Sequence, residues 1–208
     1  YSTRNTDELK PAEGLRRAIV HKMRGEVLMA KGRYSQAEES FAAYERQVAS
    51  FLKTRPDNPQ ATVMLAESLR LLAWCDRERG ERKQQTERLL EGVRVLEPLT
   101  TPLLEGTSSL PDKKSRNGFE AGSLLELAKI HHHLARVDSI IEAEGSYYQR
   151  ETGLDLVDGS SHWKSSSLAI TKAISFAPDN PGIQRQYVLS GGENRERRKK
   201  VLDHLLTT

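Results

Sequence analysis

Three consecutive histidines, His131, His132 and His133, are the most conspicuous group of side chains able to bind a metal. Successive residues on a helix point about 100° apart, so three in a row cannot face one ion. No Cys, Asp or Glu stands one turn away to complete a ligand set. The expectation is no metal and no cofactor, with one histidine buried and hydrogen-bonded and the others facing water or a groove. Ser161-His162-Trp163-Lys164 spells Ser-x-x-Lys, a nucleophile pattern, but the Ser-Asp-Asn and Lys-Thr-Gly elements that accompany it are absent. Ser161 therefore reads as a helix cap. Cys75 lies beside Trp74 in an apolar helical stretch and reads as a small buried thiol. With no phosphate-cradling glycine loop, His-Glu-x-x-His or Cys-x-x-Cys, the chain has no expected catalytic residue and is read as a non-enzyme.

The densest positive run is Arg195, Arg197, Arg198, Lys199 and Lys200. It could meet phosphates or an acidic partner, and each phosphate contact would make binding salt-dependent. No aromatic residue interleaves with it, which argues against a single-strand stacking platform. The plainer reading is a solvated helix face, and a regulatory nucleic-acid-binding module using this helix is the alternative function.

Across 208 residues, 32 Lys and Arg stand against 29 Asp and Glu, a net charge of +3 with signs interleaved, so the surface is not a strong nucleic-acid magnet. At 37% hydrophobic residues the chain is lean for one spherical core but sufficient for stacked helical hairpins. A single cysteine excludes an internal disulfide, and the expected compartment is the cytoplasm. No apolar run approaches the roughly 18 residues of a membrane span. The first residue, Tyr1, suggests a processed chain or a fragment of something larger.

The elements that must position these side chains are all helical. From Pro11 to Lys31, Leu15, Ile19, Met23 and Leu28 recur at helical spacing, and Gly32 ends the helix. From Tyr34, Ala37, Phe41, Tyr44, Val48, Phe51 and Leu52 form one buried face. Pro56-Asp57-Asn58-Pro59 then stops that helix, supplies a cap and restarts the chain as a helix; the same tetrapeptide returns at 178–181. A third helix carries Leu65, Leu69, Leu72 and Ala73 and closes at Gly80. A fourth, from Arg82, buries Leu89, Val93 and Leu96 and is expected to end at Pro98. Irregular insertions are expected at 100–117 and 151–161, flanking a fifth helix over Phe119 to Glu144. A sixth ends at Ala177, and capping helices occupy 183–206. The class is all-α, a single domain with hairpins at about 11–56, 60–98 and 119–177.

Gly25-x-x-Leu28-x-x-x-Gly32-x-Tyr34-x-x-Ala37-x-x-x-Phe41 resembles the tetratricopeptide repeat. A second unit matches at Leu69, Leu72, Ala73, Gly80 and Leu89, with Arg82 and Gln85 where Tyr and Ala are usual. Both helices of the unit are longer than the family's norm, as in the extended repeats appended to bacterial signalling proteins. The resemblance spans 16–98 and, more loosely, 119–181. It implies a short right-handed solenoid whose concave face, lined by the first helix of each pair, binds a peptide or protein segment. The positions it makes groove-facing are Lys22, Glu26 and Met29 in the first unit and Arg70, Trp74 and Arg77 in the second. Of these, two guanidinium groups near an indole could grip a carboxylate while the ring stacks on an apolar or cationic side chain. The implied role is a protein-interaction scaffold, part of a larger signalling or regulatory protein, with no membrane partner.

Overall fold

A computed structural model describes residues 6–107, 113–144 and 159–190, with side chains at 13–107, 118–137 and 161–190. Every regular element among them is an α-helix: α1 (Thr6–Ala30), α2 (Tyr34–Thr54), α3 (Pro59–Arg79), α4 (Arg82–Glu105), α5 (Lys113–Glu144), α6 (Gly159–Phe176) and α7 (Pro181–Leu189). The chain divides into two compact units, Tyr1–Val95 and Leu96–Thr208, and the division falls inside α4. Residues 191–208, with the basic run and most of the expected terminal cap, lie outside the described residues, as do most of the insertion expected at 151–161.

The two Pro-Asp-Asn-Pro joints are built alike. The Asn58 side chain accepts the Ala61 N–H at 2.8 Å, and Asn180 accepts those of Gly182 and Ile183 at 3.0 and 3.2 Å. Each satisfies orphan donors of a first turn that Pro59 or Pro181 opens. Helix stops share a second device. Gly32, Gly80 and Gly106 have φ of 69°, 79° and 74°, a left-handed turn that costs glycine nothing. In each case the next N–H reaches back around it: Arg33 to Leu28 at 2.9 Å, Glu81 to Asp76 at 2.8 Å and Thr107 to Pro102 at 3.0 Å.

That third stop corrects the expected end of α4. The helix runs through Pro98 and Pro102 to Glu105, so the beginning of the expected loop at 100–117 is helical. A proline inside a helix removes one backbone bond, at a cost of about 3 kcal/mol. Here Leu96, Thr100 and Leu103 are all buried, and the Thr100 hydroxyl donates to the Leu96 carbonyl at 2.9 Å. Burial on both sides of the prolines holds the helix where local preference would end it. At the other end of the insertion, α5 begins at Lys113. Ser161 also differs from expectation: α6 begins at Gly159, which places it inside the helix and not at its cap.

In the first unit α1 packs on α2 and α2 on α3. Ala37, Phe41, Tyr44, Val48 and Phe51 of α2 meet Ala18 of α1 and Ala61, Leu71, Leu72 and Cys75 of α3. Leu15 and Leu28 of α1 pack against this core, whereas Ile19 and Met23 sit on the outer side with Val20 and Val27. The α1–α2 crossing is close at Gly25, where a Cβ would lie 2.3 Å from Phe41 Cε1 and 2.5 Å from Cδ1. In the second unit α6 packs on α5, and α7 on both. Their buried faces are Leu124, Leu127, Ile130 and Leu134 of α5, Ala169, Ile170, Ala173 and Ile174 of α6, and Ile183 and Tyr187 of α7.

Gly25→Ala should destabilise the first unit. Alanine gains about 1 kcal/mol of helix propensity, but the ring of Phe41 is fully buried and cannot yield to a methyl group. A net loss of roughly 1–3 kcal/mol is expected in urea denaturation followed by Trp74 fluorescence in a Trp163→Phe background. Adding Phe41→Leu should recover part of it; a variant as stable as the parent would show that the two helices are not in close contact there.

Candidate protein-interaction site

One stripe of α3 presents Arg70, Trp74 and Glu78 at successive turns. With Glu26, Met29 and Ala30 from α1, Tyr34 and Phe41 from α2, and Leu71, they line a pocket of about 370 Å³. Of the six residues the sequence marks as groove-facing, Glu26, Met29, Arg70 and Trp74 therefore come together around one cavity. Lys22 lies one turn from Glu26, and Arg77 stands beside Glu78; neither lines it.

The floor is apolar and belongs to the core. Phe41 and Leu71 are buried, and Met29 packs against the same cluster, its Sδ 4.0 Å from Cys75 Sγ. Cys75 is sealed in, and burial pushes its thiol up to about 11, with Glu38 and Asp76 adding to the effect. At neutral pH it is a thiol and a poor nucleophile. Trp74 is the exception to burial, 41% exposed, with its indole Nε1–H donating to Glu78 Oε1 at 3.2 Å. That bond restrains the ring against the next turn of α3 at the edge of the pocket.

Arg70 does not serve as the expected carboxylate grip. It is only 8% exposed, and its Nη2 lies 3.9 Å from Glu67 Oε1. The same carboxylate accepts the Lys22 ammonium at 2.7 Å and the Tyr44 hydroxyl at 3.0 Å. Lys22 and Arg70 thus share one anion inside the unit, and Arg77 Nε lies 4.0 Å from Glu78 Oε1. Sequence reading missed Ala30, Tyr34, Phe41, Leu71 and Glu78 as pocket residues. Glu78 was findable, since it stands one turn after Trp74.

A second polar cluster ties α2, α3 and the start of α4 together. Asp76 is fully buried and meets Arg79 Nη2 at 3.0 Å and Arg88 Nη1 at 3.0 Å. Arg79 also holds Glu38 through two hydrogen bonds and Glu81 at 2.8 Å. Desolvation raises the Asp76 carboxyl above its ordinary range despite the two guanidinium groups, and the Glu38 bond raises Arg79. The two guanidinium groups bridge three carboxylates, Asp76, Glu38 and Glu81, which is the arrangement of a brace.

Four of the six histidines, His131, His132, His133 and His162, fall on α5 and α6 of the second unit. His131 of α5 and His162 of α6 face each other with Nδ1 atoms 3.0 Å apart, so one ring donates and the other accepts. His132 stacks edge-on to Trp163, ring centres 5.0 Å apart. Among the described residues no three His, Cys, Asp or Glu side chains converge on a point that could hold a metal ion. No described helix is long and apolar enough to cross a membrane. Arg195, Arg197, Arg198, Lys199 and Lys200 lie outside the described residues.

What fold and cavity define is a class: among the described residues, an all-helical protein whose adjacent helices pack on one another, with a largely apolar pocket lined by Trp74 in its first unit. No protein-family model matches the chain, and no curated protein or solved structure is significantly similar to it. The likeness to the tetratricopeptide repeat rests on the residues quoted above.

The histidine pair predicts acid sensitivity. Burial, with a smaller push from His162, lowers His131 to about 4 from an ordinary value near 6.5. Between those values the unfolded chain holds a proton that the folded one refuses, so this stability is complete above pH 6.5 and is lost as the pH falls towards 4. The loss should be roughly 3 kcal/mol. Urea denaturation at pH 7, 5.5 and 4, followed by Trp163 fluorescence in a Trp74→Phe background, should show a shallower pH dependence in His131→Gln. Equal slopes in parent and variant would contradict the assignment.

Proposed function

We propose that the protein is a non-enzymatic scaffold that holds a segment of another protein, with the Trp74 pocket as its anchor point. The observation that carries this reading is the state of Trp74: a large aromatic residue left 41% exposed, hydrogen-bonded to Glu78 and lining a largely apolar cavity. Tryptophan is enriched among the residues that dominate interface energetics, and such residues act in pockets that a partner can desolvate. A cavity of about 370 Å³ suits one or two side chains of a bound segment. Cys75, Asp76 and the nearby arginines are engaged in packing and ion pairs, in keeping with a structural role beside a binding pocket.

The repeat-like punctuation of residues 16–98 supports a finer reading. Hairpins that turn at Gly32 and Gly80 and are joined through Asn58 would be the units of a tetratricopeptide-like stack, and we assign the chain to that architecture as a cytoplasmic part of a larger signalling or regulatory protein.

The test is selection of binders from a displayed library of random peptides, followed by affinity measurement. Trp74→Ala should weaken the selected peptides at least tenfold, about 1.4 kcal/mol, while thermal unfolding followed by circular dichroism stays close to the parent. Selected peptides indifferent to Trp74, or a library that yields none, would sink the proposal.

A further inference from the structure

The pocket's apolar walls are crossed by charges of unequal availability. Its single guanidinium, Arg70, is buried and faces Glu67, a carboxylate that also holds Lys22 at 2.7 Å. Its two carboxylates are in a different position. Glu26 meets Lys22 only at 3.8 Å and is half exposed. Glu78 uses one oxygen, Oε1, for both of its contacts, the Trp74 indole N–H at 3.2 Å and Arg77 Nε at 4.0 Å. Oε2 of Glu78 makes no bond to a described residue. The cation of the cavity is spoken for from inside, whereas its two carboxylates keep partial access to solvent, with side chains 50% exposed at Glu26 and 29% at Glu78.

Three kinds of occupant can be compared on that basis. An anionic group would enter between two carboxylates and find Arg70 already facing Glu67. A neutral apolar group would fit the floor of Phe41, Leu71 and Met29 but would strip water from Glu26 and Glu78 without replacing it, which is costly for a charge. A cation on an alkyl stem meets every surface with its complement: methylenes on Met29, Ala30 and Leu71, and charge between the two carboxylates and against the indole. We infer that the pocket takes a basic side chain, the lysine or arginine of a partner segment. This inference rests on the binding role proposed above and adds the charge of the ligand to it.

The experiment uses the full chain, labelled with ¹⁵N, and four probes of matched stem: n-butylammonium, n-butylguanidinium, n-butanol and butyrate. The signal is the Trp74 indole N–H resonance, told apart from that of Trp163 by a Trp163→Phe variant. Both cations should move it saturably with affinities roughly tenfold or more above that of butanol, and butyrate should leave it in place. In Glu26→Gln/Glu78→Gln the cations should fall to the level of butanol, because the amides keep the shape and remove the charge. Added salt should weaken the cations and spare butanol. Butanol or butyrate binding as well as the cations would overturn the inference and leave the binding role standing. So would selected peptides that move the resonance while no probe does; if the peptides fail as well, both proposals fall together.

Discussion

The first unit depends on a side chain that is not there. Gly25 lets α1 approach α2 until the Phe41 ring occupies the space a Cβ would need. Close approach does more than fill volume, because Phe41 is at once part of the core and the floor of the pocket. One turn further along α2, Tyr44 is fully buried and its hydroxyl reaches Glu67 of α3. Glu67 in turn gathers Lys22 from α1 and balances Arg70. A helix spacing set by one glycine therefore decides which charges are consumed inside the unit and which are left at the mouth.

A second constraint ties α3 to α2 and α4. Asp76 stands one residue after Cys75 and two after Trp74, so the same stretch of α3 serves the core, the brace and the pocket. A buried carboxylate costs several kcal/mol unless it is well paired, and the raised Asp76 carboxyl shows that the cost is not wholly recovered. What the cluster supplies is register. Arg88 meets Asp76 with one nitrogen at 3.0 Å and approaches Glu38 with the other at 3.8 Å. An apolar contact would tolerate α4 sliding by a fraction of a turn; a buried carboxylate shared by two guanidinium groups does not. Fixing α4 fixes the rotation of α3, and the rotation of α3 is what keeps Trp74 at the pocket mouth.

Local signals were well legible in the sequence, and signals that depend on pairing between helices were not. Stops and starts depend on one residue's own backbone, so Gly32, Gly80 and the Pro-Asp-Asn-Pro joints could be read one by one, while the choice between Asp57 and Asn58 as cap took the structure, which gives it to Asn58. The end of α4 needed a comparison of competing local signals. Pro98 is a breaker by itself, but burial of Leu96, Thr100 and Leu103 outweighs it, and Gly106 supplies the true stop. The face of α1 misled for a related reason: Ile19 and Met23 are apolar at helical spacing, yet the buried side is the one bearing Ala18 and Gly25, whose small size admits α2. For the candidate site, spacing along α3 was enough to single out Arg70 and Trp74. The chemistry of Arg70 was not legible, because its neighbourhood depends on Glu67, Lys22 and Tyr44, and the last two lie on other helices.

The pocket's rigidity is uneven, and the unevenness follows from where its walls come from. Phe41 and Leu71 are core residues and cannot move without opening the α1–α2–α3 contact. Trp74 would have rotamer freedom at its exposure, but the bond from its indole nitrogen to Glu78 removes much of that freedom in advance. Ordering a side chain on binding costs about 0.5–1.5 kcal/mol, so a ring already held spends less of the contact it makes. Met29 is the opposite case, an unbranched thioether with three rotatable bonds that can reshape one wall to the stem it meets. Two fixed aromatic surfaces and one adaptable wall give a site that is strict about the position of a charged head and lenient about the chain that carries it.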